Sequence, residues 1–490
     1  MPLPPLIIPL DTPEATEHLA RLIAPSLGPG DVILLDGPVG AGKTHFARAV
    51  IHARLGPEED VPSPTYTLIQ TYGSGVEIWH ADLYRIAHPD EIPELGLQDA
   101  FASAVCLIEW PDRLGPYQPH DPIRIRLIPD GEGRRAEVDA GARPALAHIL
   151  AADMAARRHA AATGFLRHAG WGDAMRTALA GDASSRRYER LLRNGRPAIL
   201  MDCPHGSGDD IGDFTRIDRH LRKIGLNAPE ILAEDLAQGF LLLEDFGDGV
   251  FSRVLAANPN AEVPFYARAT DVLLHLQARP PADTLMNLSA DDWAAAAGLV
   301  CDWYCFAILD DKADCATLTR VLSDCLAKHA DGSRVMILRD YHAENLLWLE
   351  NRSGLQQVGL LDFQLAQLGQ PGYDLVSLLQ DARRDVSLSV EAMMIRRFIE
   401  AKGVQEADFT AHYAAVGAQR ALRILGIFAR LCLQSGKPGY VDLMPRVWAG
   451  LQRCLAHPEL RDLAQICGRM LPEPGPLQRQ RIKDKCGNFP

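Results

Sequence analysis

The first 130 residues alternate between short apolar runs and stretches in which apolar positions recur at helical spacing. One apolar run, Asp31–Asp36, leads directly into a glycine-rich turn, and helical spacing then continues from Lys43 to Ile51. Two further runs, Val76–His80 and Val105–Glu109, have the composition of buried strands that end in a polar side chain. This alternation of strand and helix predicts an α/β domain.

A second pattern begins near residue 163. Two strand-like runs come first, Tyr188–Arg193 and Ala198–Asp202. Leu241–Asp245 is apolar and then abruptly acidic, and this segment could serve as a hinge between two lobes. The pattern over residues 262–470 is mostly helical, apart from one motif-rich region. We therefore expect an α+β domain with a strand-containing N-lobe and a helical C-lobe.

The length of the chain has room for several domains. A chain of 490 residues corresponds to roughly three compact units of about 150 residues each. The alanine-rich segment after residue 140 favours a helical connector, and the proline-rich, then basic C-terminus is typical of a tail that lies loosely on the surface. The predicted boundaries are 1–140 for the α/β domain, 141–162 for the connector, 163–246 for the N-lobe, 247–470 for the C-lobe and 471–490 for a flexible tail.

The glycine-rich turn is a complete G-x-x-x-x-G-K-[ST] phosphate loop over Gly37–Thr44. Its place between a predicted strand and a predicted helix distinguishes a true phosphate loop from a chance match. In such a loop the backbone N–H groups face the phosphates, the lysine supplies a cation, and the threonine hydroxyl can bind Mg²⁺. The predicted nucleotide-binding residues here are Gly37, Gly40, Ala41, Gly42, Lys43 and Thr44.

Polar residues elsewhere in this half could serve the same site. Glu109 ends a buried-strand run, which is how a second metal-side carboxylate is presented beside a phosphate loop. Asp82 follows another strand-like stretch, and Thr65 lies in a stiff, hydroxyl-rich segment that could sense the γ-phosphate. Taken alone, Asp82 and Thr65 are equally compatible with having no functional role.

Four motifs in this order and spacing make the first 130 residues resemble the TsaE family, the bacterial ATPase of tRNA threonylcarbamoyladenosine biosynthesis. The motifs are GPVGAGKT, PSPTYTL, HADLYR and IEWPDR. The resemblance implies that Thr65 lies in a switch loop, that Asp82 and Glu109 act with Thr44 on the metal and its water, and that Trp110 stands beside the nucleotide. It also implies a small ATPase that resets a partner complex, which itself modifies the adenosine next to the anticodon.

The charge distribution agrees with an indirect connection to RNA. Residues 1–150 contain 11 Lys and Arg against 21 Asp and Glu, within a chain whose net charge is −13. Direct binding of nucleic acid requires clustered Lys and Arg to neutralise the phosphates. We therefore expect tRNA to be reached only through a partner protein.

The motif-rich region of the second half has the spacing of a kinase catalytic loop. Asp340 and Asn345 are five residues apart, and Asp362 follows after another apolar run. The aspartate of such a loop accepts the proton of the substrate hydroxyl, while the asparagine and the second aspartate hold Mg²⁺ against the phosphates. His342 is equally compatible with loop structure and with active-site positioning, and Asp374 is expected to brace the catalytic loop.

Residues 160–470 resemble the aminoglycoside-phosphotransferase-like small-molecule kinases, and within them the anomeric kinases of N-acetylmuramate and N-acetylglucosamine in peptidoglycan recycling. The phrases that carry this resemblance are GDASSRRYERL, AILMDCP, ILAEDLAQGFLLLEDFGD, LRDYHAENLLWL and LLDFQLAQLGQPGYDL. It implies a protein-kinase-like fold and the use of ATP and Mg²⁺, with Ser184 and Arg186 joining Asn345 at the nucleotide. The alternatives are phosphotransfer to an aminoglycoside or another small alcohol.

One position departs from the wider kinase pattern. Met201 stands where the phosphate-contacting lysine is expected. Arg186, Arg187 or Lys223 could supply the missing charge, and the sequence does not choose among them. The substitution also leaves open a pseudokinase that acts as a scaffold for the ATPase.

The cysteines and the hydropathy indicate the compartment. Ten cysteines form no CxxC pair and no zinc spacing, which predicts free thiols in a reducing cytosol. Cys301 and Cys305, four residues apart in a helical stretch, are expected to be core residues. The N-terminus lacks the basic region of a signal peptide, and without a run of 18 apolar residues we expect no membrane span.

Overall fold

The computed structural model describes residues 5–73, 75–179, 186–204, 210–310 and 315–488. Its contacts divide the chain into two compact units, Met1–Gly164 and Phe165–Pro490.

The N-terminal unit is built on a seven-stranded mixed sheet in the order β1-β7-β6-β2-β5-β4-β3. Its strands are β1 (Leu6–Leu10), β2 (Val32–Asp36), β3 (Ile69–Tyr72), β4 (Ile78–Asp82), β5 (Val105–Glu109), β6 (Ile123–Asp130) and β7 (Gly133–Asp139). Its helices are α1 (Pro13–Ile23), α2 (Lys43–Leu55), α3 (Leu97–Ser103) and α4 (Pro144–His168), the last of which crosses the boundary between the units.

The central strands of this sheet are parallel, so their carboxyl ends meet at one edge. Strands β6, β2, β5 and β4 pair in parallel, while β1, β7 and β3 join in antiparallel pairs. Strands β2, β5 and β4 contain mainly apolar residues because separate apolar clusters cover both of their faces, whereas β6 alternates buried apolar with exposed polar residues and is covered on one face. The α/β prediction is confirmed, and the shared edge is where a phosphate loop after β2 meets the ends of β4 and β5.

The C-terminal unit begins with a five-stranded antiparallel sheet in the order β11-β12-β10-β9-β8. Its strands are β8 (Met175–Leu179), β9 (Arg187–Arg193), β10 (Arg196–Asp202), β11 (Ile231–Asp235) and β12 (Phe240–Glu244). Helix α5 (Ile211–Lys223) lies between β10 and β11 in sequence and buries Phe214, Ile217 and Leu221 at helical spacing. This sheet and helix form the predicted N-lobe, and the segment after β12 leads into the helical C-lobe.

The C-lobe packs helices around two short antiparallel strand pairs. The pairs are β13 (Val335–Ile337) with β16 (Gln367–Gly369), and β14 (Leu346–Trp348) with β15 (Val358–Leu360). The helices are α6 (Phe251–Ala257), α7 (Glu262–Gln277), α8 (Ala290–Ala297), α9 (Phe306–Leu309), α10 (Ala316–His329), α11 (Tyr373–Leu379), α12 (Leu388–Lys402), α13 (Glu406–Leu433), α14 (Met444–Leu455), α15 (Arg461–Met470) and α16 (Pro476–Asp484). The 28-residue helix α13 buries most of its residues and forms the centre of this lobe.

The C-terminal segment is packed against the lobe, so the prediction of a flexible tail over 471–490 is wrong for the described residues up to 488. Helix α16 buries the side chain of Ile482 completely. The Lys485 ammonium donates a 2.8 Å hydrogen bond to the carbonyl oxygen of Ala307. The composition predicts a loose tail because it is proline-rich and basic. The contacts that hold the segment, one buried isoleucine and a few hydrogen bonds, cannot be recognised from composition.

The structure also bears on the expectations about the cysteines and about membrane spans. Cys301 forms a disulfide with Cys315, which corrects the expectation of free thiols for this pair, while Cys305 is a buried free cysteine. Among the described residues, one helical stretch, Ala290–Leu309, is long and apolar enough to cross a membrane, and 56% of its apolar window is buried inside the unit.

Two candidate phosphate-handling sites

The phosphate loop lies at the carboxyl end of β2, and helix α2 begins at its lysine. Gly37, Gly40 and Gly42 all have positive φ values, of 142°, 79° and 100°, which favour glycine. A Cβ atom at Gly37 would stand 2.5 Å from the carbonyl oxygen of Leu127, and one at Gly42 would collide with the guanidinium of Arg134. The backbone contact excludes a side chain at Gly37, while at Gly42, where the arginine could move aside, the φ of 100° is what favours glycine.

Lys43 is buried within the loop and faces the carboxylates of the site. Its ammonium donates hydrogen bonds to the carbonyl oxygens of Gly37 (2.7 Å) and Pro38 (3.0 Å) and lies 3.8 Å from the centre of the Trp110 ring. Burial lowers the pKa of Lys43, and the negative charges of Glu109 and Asp82 oppose that shift. The ammonium is held at the centre of the loop, where an incoming phosphate would exchange for the carbonyl oxygens.

The two predicted carboxylates lie beside each other because β4 and β5 pair in register, with Asp82 opposite Glu109. One oxygen of Glu109 accepts a 3.1 Å hydrogen bond from the Thr44 hydroxyl. Asp82 accepts a 2.9 Å hydrogen bond from the Thr65 hydroxyl. All four side chains line one cavity of about 420 Å³, together with the loop and Trp110.

The oxygen atoms of this cavity suit magnesium. Mg²⁺ is commonly held by one or two carboxylates, while phosphates and waters complete the octahedron. Thr44, Asp82 and Glu109 supply a hydroxyl and two carboxylates to the lining of the cavity. The described residues contain no cluster of three His, Cys, Asp or Glu that would hold a metal without such help. The donor set therefore fits a metal that enters with a nucleotide.

His80 is a site residue that the sequence analysis missed. It is completely buried, and its Nε2 donates a 2.9 Å hydrogen bond to the second oxygen of Glu109. The histidine lies in the HADLYR motif, but only the pairing of β4 with β5 shows that it reaches Glu109. His80 and Thr44 together fix the orientation of the carboxylate from both sides.

The second candidate site is assembled by the β14–β15 pair. Leu346 is paired with Leu360, which brings Asn345 and Asp362 to the same end of the two strands. The side-chain amide of Asn345 donates to the backbone carbonyl of Asp340 (2.9 Å) and lies 3.5 Å from the Asp362 carboxylate. These hydrogen bonds use the amide nitrogen of Asn345, and an amide oxygen with a carboxylate is a donor set that fits magnesium held against phosphates.

Asp374 braces the catalytic loop, in agreement with the prediction. It is completely buried, and its carboxylate accepts hydrogen bonds from the backbone N–H groups of Leu338 (2.6 Å) and Arg339 (2.8 Å). Burial raises the pKa of Asp374 to about 7, and the two backbone donors oppose the shift. Arg339 has a φ of 71°, so these bonds hold a backbone turn that a non-glycine residue rarely adopts.

His342 is a buried neighbour of the metal-side residues. Its Nε2 lies 3.5 Å from the Asn345 amide nitrogen and accepts from the Arg383 guanidinium at 3.3 Å. Burial lowers the pKa of His342 to about 3, with Arg383 and Arg420 adding to the shift. The imidazole is therefore neutral at physiological pH, and it positions Asn345 and Arg383.

The structure distinguishes the three cations that could replace the missing lysine. Met201 is completely buried in the core. The guanidinium of Arg186, also buried, lies 3.5 Å from the Asp362 carboxylate. Arg187 starts β9 opposite Asp202, and Lys223 lines a separate cavity at the end of α5. Arg186 is thus the cation next to the metal-side aspartate. Ser184 lies outside the described residues.

Comparison with known proteins gives a separate match for each unit. Residues 10–136 match the family model of the threonylcarbamoyl adenosine biosynthesis protein TsaE, and residues 175–413 match the phosphotransferase enzyme family. The N-acetylmuramate/N-acetylglucosamine kinase of Caulobacter vibrioides is 37% identical over 357 residues, which are 65% of this chain and 98% of that protein.

Two relatives of the N-terminal unit are tRNA threonylcarbamoyladenosine biosynthesis proteins TsaE from Rickettsia. The protein of Rickettsia conorii is 47% identical over 102 residues, which are 21% of this chain and 58% of that protein. The protein of Rickettsia bellii is 39% identical over 119 residues, which are 24% of this chain and 83% of that protein.

Proposed function

This chain belongs to the TsaE family through its N-terminal unit and to the phosphotransferase enzyme family through its C-terminal unit, and we propose from this a bifunctional ATP-using enzyme with two separate substrates. The N-terminal unit hydrolyses ATP in the biosynthesis of tRNA threonylcarbamoyladenosine. The C-terminal unit transfers a phosphoryl group to the anomeric hydroxyl of N-acetylmuramate and N-acetylglucosamine. Bound Mg²⁺ supplies charge neutralisation to the phosphates at both sites.

The observation that carries the ATPase proposal is the network around Glu109. Thr44 and His80 hold the two oxygens of this carboxylate, which is almost fully buried at the end of β5. An oriented carboxylate beside a phosphate loop can position water and accept its proton. Lys43 pairs with the phosphates, and Thr44 and Asp82 with Glu109 are the residues that would hold the metal.

Trp110 connects the nucleotide site to the surface. Its φ is 59°, a strained value for a tryptophan, and its ring contacts the Lys43 ammonium and lies 5.0 Å from the ring of Tyr84. Tyr84 is about half exposed. This pair of rings would report the state of the phosphate loop to a bound protein, so we assign the partner contact to this side of the site.

The ATPase proposal is tested by measuring ADP release from the whole chain, alone and with the threonylcarbamoyl-transferase proteins. Turnover should be slow alone and should rise when the partner is added. Trp110→Ala should weaken that rise while nucleotide binding survives. Fast hydrolysis that the partner leaves unchanged would contradict a partner-dependent ATPase.

The observation that carries the kinase proposal is the placement of Asn345, which donates to the Asp340 backbone and lies 3.5 Å from Asp362, beside a buried arginine. Asp340 is the group that accepts the proton of the substrate hydroxyl. Asn345 and Asp362 are the residues that would hold the metal, and Arg186 provides the positive charge that the absent lysine would have given. An anomeric hydroxyl is more acidic than an ordinary alcohol, so its deprotonation demands less of the base.

The kinase proposal is tested by ATP consumption with N-acetylmuramate, N-acetylglucosamine and an aminoglycoside as separate substrates. ADP should appear with the two amino sugars, and phosphorus NMR of the product should show a sugar 1-phosphate. A 6-phosphate would reject the anomeric position. Transfer to the aminoglycoside alone would move the unit to another branch of the same family, and no transfer to any of them would favour a scaffold.

The partners and the compartment follow from these two activities. The threonylcarbamoyl-transferase proteins are the proposed partners of the N-terminal unit, and tRNA is reached through them because the unit is acidic. The amino sugar is the partner of the C-terminal unit. Both substrates place the protein in the cytoplasm.

A further inference from the structure

The metal-side motif of the C-terminal unit departs from the common kinase signature at one position. That signature is Asp-Phe-Gly, in which the aspartate binds magnesium. This chain has Asp362, Phe363 and then Gln364, so a side chain that can donate and accept hydrogen bonds stands where glycine has none. Gln364 is only 8% exposed, which places its amide inside the protein.

The buried amide of Gln364 donates to the metal-side aspartate. Its Nε2 lies 2.6 Å from Oδ1 of Asp362. The reverse orientation of the amide would bring its oxygen against a carboxylate oxygen, and neither atom carries a hydrogen to share. The amide oxygen Oε1 is buried and has no hydrogen-bond partner among the described residues. Because burying an unpaired amide oxygen costs free energy, its retention argues for the effect of Gln364 on Asp362.

The two oxygens of the Asp362 carboxylate have different neighbours. Oδ1 accepts the hydrogen bond from Gln364 and lies 3.5 Å from the Arg186 guanidinium. Oδ2 lies 3.5 Å from the side-chain amide nitrogen of Asn345. The Asp362 side chain is 44% exposed, so a metal can reach it. Gln364 and Arg186 thus contact one oxygen, and the other lies beside Asn345, the second metal-side residue.

The backbone around Asp362 is held by contacts that do not involve its side chain. Its φ is 55°, a value that residues other than glycine rarely adopt. The Leu361 N–H donates a 3.0 Å hydrogen bond to the carbonyl oxygen of Asn345, and the Phe363 side chain is completely buried. These contacts fix the backbone on both sides of Asp362, whereas the hydrogen bond from Gln364 restricts rotation of the carboxylate itself.

Resting on the proposed sugar-kinase function, we propose that Gln364 is a positioning residue of the kinase, which holds Oδ1 of Asp362 so that Oδ2 is presented, beside Asn345, to magnesium. A residue that orients a metal ligand tunes the affinity for the metal, and its loss typically costs about 10- to 100-fold. Gln364 acts only through Asp362 and does not itself bind the metal or the phosphates.

The variant that isolates this role is Gln364→Met, because methionine has a similar length and no donor. The matched control is Gln419→Met on α13. Gln419 is 1% exposed, its Nε2 donates a 2.8 Å hydrogen bond to the carbonyl oxygen of Trp293, and its Oε1 is likewise without a partner in the described chain. Each change removes one buried hydrogen bond from the same lobe, but only Gln364→Met removes one from Asp362.

The direct measurement is binding of Mn²⁺ to the whole chain in the presence of a non-hydrolysable ATP analogue, followed by electron paramagnetic resonance. Mn²⁺ takes the same oxygen ligands as Mg²⁺. Gln364→Met should weaken Mn²⁺ binding at the C-terminal site by about 10- to 100-fold, and Gln419→Met should leave it unchanged. Mn²⁺ bound at the N-terminal nucleotide site should stay the same in every variant and serves as an internal reference.

A shorter amide provides a second variant. Gln364→Asn keeps the polar group, but its donor is one methylene further from Oδ1 of Asp362. It should also weaken Mn²⁺ binding at the C-terminal site, and it decides the question if the methionine variant does not fold.

The second measurement is the rate of sugar phosphorylation as a function of Mg²⁺ concentration at saturating ATP. The half-saturating Mg²⁺ concentration should rise by about 10- to 100-fold in Gln364→Met, and excess Mg²⁺ should restore most of kcat. A structural role alone would lower kcat at every Mg²⁺ concentration and would leave the half-saturating concentration unchanged.

The outcomes separate the role of Gln364 from the function on which it rests. Unchanged Mn²⁺ affinity in the Gln364 variants would overturn the positioning role and leave the kinase in place. An equal loss of Mn²⁺ affinity in Gln419→Met, or a fall in kcat that excess Mg²⁺ does not restore, would also overturn it. Absence of sugar phosphorylation by the unaltered protein would contradict the kinase function itself.

Discussion

Asp218 on helix α5 is a buried carboxylate that should cost the C-terminal unit stability at neutral pH. The residue is completely buried, and neither of its oxygens has a hydrogen-bond partner in the described part of the chain. Burial raises the pKa of Asp218 from 3.8 to about 7, although Arg222 and Arg219 oppose the shift. It lies one helical turn after Phe214, whose ring is 4.9 Å from that of Phe363, next to the metal-side aspartate.

The sign of the effect follows from the raised pKa. The folded protein holds the proton more tightly than the unfolded chain, so stability falls as pH rises from about 4 to about 7 and the cost is fully present above that. A shift of about 3 units corresponds to on the order of 4 kcal/mol at pH 8, of which roughly 2–3 kcal/mol develops above pH 5. Asp218→Asn has no charge to bury and should escape this cost.

The assay is urea unfolding at pH 5 and pH 8, followed by hydrogen exchange on peptides from the core of the C-terminal unit. Hydrogen exchange on individual peptides reports the unfolding of the C-terminal unit separately, so the two units are not treated as one unfolding transition. The gain in free energy of unfolding from Asp218→Asn should be larger at pH 8 than at pH 5 by about 2–3 kcal/mol. The control is Asp213→Asn on the same helix, which removes an exposed pair with Arg216 and should have the same small effect at both pH values. Equal gains for Asp218→Asn at the two pH values would refute the reasoning.

Three further predictions concern the two sites. Lys43→Ala should abolish ATP turnover by the N-terminal unit and leave sugar phosphorylation intact, while Asp340→Asn should lower kcat of the kinase by about 10²–10⁴-fold and leave the ATPase intact; loss of both activities in either variant would contradict two separate sites. His80→Ala should lower ATP hydrolysis by about 10–100-fold through the orientation of Glu109, with nucleotide affinity measured by calorimetry little changed; a fall in affinity of the same size would show a structural role instead. Arg186→Ala should lower kcat/KM of the kinase by about 10²–10³-fold and Arg186→Lys should recover part of it; equal activity in the two variants would show that the charge is not needed.

Local motifs could be predicted from the sequence because residues that are close in sequence are held close together in space by the chain. The strand, turn and helix around Lys43 and the pair Asp340 and Asn345 each lie within a few residues, so the chain itself places their groups. Asp82 and Glu109 needed the TsaE resemblance, since their proximity depends on the parallel pairing of β4 and β5. His80 was missed for the same reason: a histidine that ends an apolar run is visible in sequence, but the carboxylate it orients is 29 residues away.

Contacts between distant segments were beyond sequence reasoning. Three cations were equivalent candidates for the missing lysine until Arg186 was found beside Asp362, 176 positions later. The disulfide between Cys301 and Cys315 could not be predicted, because the ten cysteines form no recognisable pairing motif.

Buried ionisable groups are concentrated around both sites, and the cost of burying them indicates why they are retained. In the N-terminal unit His80 and Glu109 are buried as a hydrogen-bonded pair. In the C-terminal unit Asp374 and Asp381 are buried, and each accepts backbone hydrogen bonds of the catalytic loop. Replacing such groups with apolar side chains often leaves stability unchanged or improves it. Their placement therefore argues for positioning. His80 orients the Glu109 carboxylate, and Asp374 and Asp381 hold the loop that the proposed chemistry uses. Asp218 holds nothing in place, and it is the buried acid whose removal should stabilise the fold.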